Sequence, residues 1–69
     1  MEAVNIGNVG GKLRALREEL KLSQTEFGAK IGTMQSMISD WEVGRNLINL
    51  DTLAKICQVF AVDWGYFRP

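Results

Sequence analysis

Between Ser23 and Gly44 the chain spells out two short helices and the glycines that end them, and few folds accommodate that pair. Ser23 and Glu26 form a capping box: the serine oxygen accepts from the amide of residue 26, and the carboxylate returns to the amide of residue 23. A helix starts there, turns Phe27 and Ile31 inward, and stops at Gly32, which takes the left-handed conformation that closes helices. Met34, Ile38 and Trp41 then recur at helical spacing until Gly44. Only Gly32 and Thr33 lie between the two segments. Gly28 points into the angle between the helices, and without a Cβ it lets their backbones approach. The layout is that of a helix-turn-helix.

With 69 residues there is room for one small core. A composition of 46% hydrophobic and 23% charged residues is that of a globular chain rather than a disordered one. The single Cys57 excludes an internal disulfide, and a chain without histidine offers no His/Cys metal constellation. No cofactor or metal is expected. No apolar run reaches the length of a membrane span, and Glu2 near the start does not fit a signal peptide, so the sequence reads as cytoplasmic.

Residues 1–10, "MEAVNIGNVG", show no helical period and are read as a flexible arm ahead of a domain over residues 11–69. Leu13, Leu16 and Leu20 mark one face of a first helix that starts near Gly10 and runs to about Lys21. After Gly44 a loop, "GRNLIN", leads to Asn49 and a fourth helix with Leu50, Leu53, Ile56, Cys57 and Phe60 on its apolar stripe. Asp63 caps a last short turn in which Trp64 and Phe67 are expected to close the core. The fold class is therefore all-α, with five helices.

The segment from Met34 to Val43 carries Gln35, Ser36, Ser39 and Asp40 opposite its apolar side. Short groups with directional donors and acceptors suit a helix that reads the hydrogen-bonding edges of bases. Gln35 matches adenine N6 and N7, Ser36 pairs with almost any edge, and Asp40 accepts from cytosine N4 but repels phosphates. Met34 suits a thymine methyl, although a Met at this spacing more often packs. For Asp40 a plain helix-surface charge is the stronger alternative. Arg45, just beyond the helix, is the phosphate candidate. Against DNA, eight Lys plus Arg balance eight Asp plus Glu, short of the basic surplus common in nucleic-acid binders.

The runs "LRALREELKLSQTEFGAKIG", "ISDWEVGR" and "LAKICQVFAVDWGYF" resemble the lambda-repressor-like domain of the Xre and Cro family over about residues 11–67. The resemblance implies that Gln24, with Ser23 beside it, holds a phosphate while Gln35 and Ser36 enter the major groove. It implies that Arg17 pairs with Glu42, and that Gly28, Gly32, Ile38 and Trp41 pack the two helices together. It also implies a sequence-specific transcription regulator, a repressor, bound to double-stranded DNA as a dimer. Met34 departs from the family pattern by standing where a Ser or Thr usually caps the helix. Either Thr33 caps instead or the cap is missing, at a cost of roughly 1 kcal/mol.

Without a histidine base or a phosphate-binding glycine loop the sequence gives no sign of an enzyme. The competing reading is a protein-binding module or antitoxin on the same fold, since Leu47, Ile48, Trp64, Tyr66 and Phe67 can supply a partner surface. Of these, Leu47, Ile48 and Tyr66 are assigned to a homodimer interface, while Trp64 and Phe67 are assigned to the core.

Overall fold

The structure, a computed structural model, describes residues 6–67. Four α-helices follow one another, α1 (Ile6–Glu19), α2 (Gln24–Ile31), α3 (Gln35–Val43) and α4 (Leu50–Phe60), with no strand among the described residues. The fifth helix expected from the sequence is a single 3-10 turn, Trp64–Phe67. The helices close around one apolar core of Leu13, Leu16, Phe27, Ile31, Ile38, Trp41, Leu53, Ile56, Cys57 and Phe67.

α1 begins at Ile6, not near Gly10, so the expected arm over 1–10 is helical from residue 6 onward; residues 1–5 lie outside the described residues. The reason is the Gly10-Gly11 pair, which weakens a helix locally and hides the register. Val9, Leu13 and Leu16 continue one stripe, and Val9 packs against the core. Gly10 is also required sterically, because a Cβ there would collide with the carbonyl oxygen of Trp41 and lie 2.9 Å from that of Glu42. At Gly11 nothing stands within 4 Å. The two adjacent glycines should therefore respond in opposite directions. Gly10→Ala is expected to cost about 1–3 kcal/mol by forcing α3 off α1, and Gly11→Ala to stabilise by about 0.5–1 kcal/mol. Urea melts of the two variants check this, and a stability loss at both would mean that the close crossing is not what constrains Gly10.

The turn between α2 and α3 is built as the glycines suggest. Gly32 sits at φ 78°, and the Thr33 amide donates to the Gly28 carbonyl at 2.8 Å. A Cβ on Gly28 would come within 2.7 Å of the Thr33 carbonyl oxygen, which fixes the approach of the two helices. α3 ends at Gly44, φ 80°, and Asn49 caps α4 by accepting from the Thr52 amide at 2.8 Å. Asp63 accepts from the Gly65 amide at 2.9 Å and so caps the last turn.

That turn reverses one expectation. Phe67 is buried, but Trp64 is 46% exposed. Tyr66, assigned to an interface, is half-buried: its hydroxyl donates to the Lys12 carbonyl at 3.1 Å and its ring stands edge-on to Phe67. Val62 packs against the core just before the turn, and Trp64 opens the turn from its outer side.

Candidate nucleic-acid interface

α3 turns Ile38 and Trp41 into the core and leaves Gln35 and Ser36 exposed on its first turn, with Ser39 and Asp40 half-buried. Met34 takes the N-cap position and makes no side-chain hydrogen bond, so the capping serine or threonine of related sequences has no substitute in that residue. It is 67% exposed and so does not pack in the core.

A chain of hydrogen bonds runs beneath that face. Arg17 and Glu42 meet 25 residues apart: Nε donates to Oε2 at 2.6 Å and Nη2 to Oε1 at 3.2 Å. Nη1 donates to the Leu22 carbonyl at 2.9 Å. Both side chains are nearly withdrawn from water, at 12% and 3% exposure. The hydrogen bond from Arg17 to Glu42 raises the guanidinium pKa, overriding the opposite effect of burial. Glu42 also accepts from Gln24 Nε2 at 3.0 Å, and Gln24 Oε1 in turn accepts from Gln35 Nε2 at 2.5 Å. Buried charge, half-buried amide and exposed amide are thus one connected series leading to the surface of α3.

Ser23 and Glu26 form the capping box reciprocally, at 3.0 Å and 2.8 Å. The Ser23 oxygen is occupied as an acceptor, which leaves its hydroxyl hydrogen to donate outward. The hydrogen bond from the Ser23 amide, aided by that capping geometry, holds the Glu26 carboxyl below the usual glutamate range. A carboxyl with a lowered folded pKa stabilises above its unfolded value, about 4.3, and this contribution is lost as pH falls through the lower folded value. Glu26→Gln is expected to flatten that part of the acid limb of stability. Superimposable pH-stability curves for the two proteins below pH about 4.3 would remove the carboxylate from the box.

Beyond α3, Asp40 is tied down by its own loop. Its carboxylate accepts from Arg45 Nη1 at 2.6 Å and from Asn46 Nδ2 at 2.9 Å, and its carbonyl accepts from the Arg45 amide at 2.9 Å. Both carboxylate oxygens of Asp40 are thus engaged within the chain. Arg45 stays 69% exposed beside the polar face, with part of its charge balanced by Asp40. The sequence reading missed Asn46, Gly10 and the Gln24–Glu42 bond. Spacing does not announce any of them, although the adjacent glycines were a visible anomaly.

Leu47 and Leu50, 65% and 72% exposed, line an apolar cleft together with Val9, Leu13, Trp41 and Ile48. Ile48 is half-buried against the core. Burial pushes the Cys57 thiol above its ordinary pKa, in keeping with an apolar filler. Among the described residues no group of three or more His, Cys, Asp or Glu side chains is placed to hold a metal ion, and no helix is long and apolar enough to cross a membrane.

A family model described as helix-turn-helix matches residues 13–67, the whole span from the core of α1 to the final turn. The chain belongs to the lambda-repressor-like helix-turn-helix family. Within that family it is similar to multiprotein-bridging factor 1 of Candida albicans, with 34% identity over 55 residues that make up 80% of this chain and 36% of the relative. The proteins of the same name from Debaryomyces hansenii and Candida glabrata are also 34% identical over 55 residues, 80% of this chain and 37% and 36% of their own lengths. The chain therefore spans little more than a third of the length of these relatives. No solved structure gives a significant match. Membership of the helix-turn-helix family supports DNA binding, and the name of the relatives describes proteins that bridge other proteins.

Proposed function

We propose that this chain is a non-enzymatic, double-stranded DNA-binding module of a cytoplasmic transcription regulator, a repressor, that docks α3 in the major groove as a homodimer. The observation that carries the reading is the exposed Gln35 at the start of α3, held at 2.5 Å by Gln24 from the preceding helix. A base-reading amide needs its direction fixed, and an ordinary surface glutamine does not have it fixed. Gln35, Ser36 and Met34 face the base edges; Gln24, Ser23 and Arg45 lie where they meet the flanking phosphates. One short helix reads few base pairs, so specificity calls for two copies on half-sites about 34–36 Å apart. Leu47 and Ile48 are the interface residues; Tyr66, locked to Lys12, contributes through its exposed edge at most.

Gln35→Ala is expected to cost about 1–3 kcal/mol at the preferred site and to relax preference at one base pair, with little change on random duplex. Equal losses on both would take Gln35 out of the base-reading set. A protein-bridging role, the second reading, is favoured by the cleft flanked by Leu47 and Leu50 and by the name of the relatives. Salt separates the two, because phosphate contacts weaken steeply as salt rises and an apolar contact does not.

A further inference from the structure

We infer that Glu42 is a positioning residue that sets the amide polarity of Gln24 and, through it, of Gln35, so that the buried ion pair determines which base edge the surface of α3 accepts. The inference rests on the DNA-reading function proposed above.

Donors and acceptors decide the orientation of each group. An ionised carboxylate only accepts, and an amide has one end of each kind. Glu42 is locked in place by two bonds from Arg17 and is 3% exposed, so it does not rotate to suit its neighbour. Gln24 must therefore turn Nε2 toward it, as the 3.0 Å bond shows. Its Oε1 then faces α3 and accepts from Gln35 Nε2. Reversing either amide would set oxygen against oxygen at one end of the series.

Two consequences reach the surface. Gln24 keeps one Nε2 hydrogen, a donor, which suits a phosphate oxygen. Gln35 keeps its second Nε2 hydrogen together with Oε1, a donor and an acceptor side by side, which is the complement of adenine N7 and N6. If the polarity of the series were not fixed, Gln35 would present these two groups in either order, and the distinction between base edges would weaken. The charge at Glu42 thus acts at a distance without touching DNA.

Two variants cut the series at different places. Gln24→Met removes the link and leaves Arg17–Glu42 intact. Arg17→Met/Glu42→Gln removes both charges and replaces the fixed acceptor with an amide that presents either end. Circular dichroism is used to check that each folds. In the free protein, 15N relaxation of the Gln35 side-chain amide is expected to show an ordered group in the wild type and a mobile one in both variants. On DNA, the ratio of affinities for the selected site and its single-base variant at the Gln35 position should fall about fivefold or more in the double variant, a loss of preference beyond any uniform weakening from the Gln24 phosphate contact. An amide equally ordered in all three proteins would overturn the inference. So would a double variant that keeps the full preference while Gln35→Ala loses it. If the wild type selects no DNA site, the DNA reading fails on its own, and the relaxation measurement still decides the polarity series.

Discussion

Phe27→Ala is expected to remove about 3–5 kcal/mol of stability. Phe27 is fully buried, and its ring stacks on Phe60 with centroids 4.6 Å apart and planes 12° apart. It stands on α2 where that helix meets α4, so its loss opens a cavity between the element that supports α3 and the element that closes the core. A domain of this size has roughly 3–10 kcal/mol in total, so the substitution takes about a third of it or more. Phe27→Leu retains much of the volume and should cost less than half as much. Thermal melts followed by circular dichroism test this. A cooperative transition in the alanine variant within a few degrees of wild type would show that α2 and α4 do not depend on this ring.

The second large effect is electrostatic. Glu42→Ala is expected to cost about 3–5 kcal/mol, because it strands the guanidinium of Arg17 at a site only 12% exposed. Arg17 keeps the Leu22 carbonyl but loses both carboxylate bonds. Removing the two charges together, as in Arg17→Met/Glu42→Leu, should recover much of the loss, since no uncompensated charge is then left inside. The comparison of the single and double variants by denaturant melts isolates the coupling. Losses that simply add would mean that the two side chains do not stabilise one another.

How far these features could be read from the sequence depends on how local their causes are. The capping box at Ser23 and Glu26 and the left-handed Gly32 are set by neighbours a few residues apart, and they form as expected; the left-handed Gly44 and the Asn49 cap are equally local in cause. The start of α1 was obscured because Gly10 and Gly11 lower helix propensity, while the gain from Gly10 is a close crossing with α3 that no local pattern reveals. Trp64 left its expected place in the core for a similar reason. A four-residue turn has too little periodicity to say which ring faces inward, and the bond from Tyr66 to Lys12 spans 54 residues. At the interface, Gln35 and Ser36 were legible as polar groups on an otherwise amphipathic helix. Arg17–Glu42 was legible only through the family resemblance. Asp40 looked outward-facing because its partners, Arg45 and Asn46, return to it only once Gly44 has reversed the chain.

Whether α3 reads DNA is decided by selection of bound duplexes from a random pool by the whole chain, followed by sequencing of the enriched sites. The expected result is enrichment of two inverted half-sites with centres about 34–36 Å apart, one helical turn, each with an adenine at the position lost in Gln35→Ala. A pool that stays random through successive rounds, while the protein remains folded, would contradict a DNA-reading role for α3.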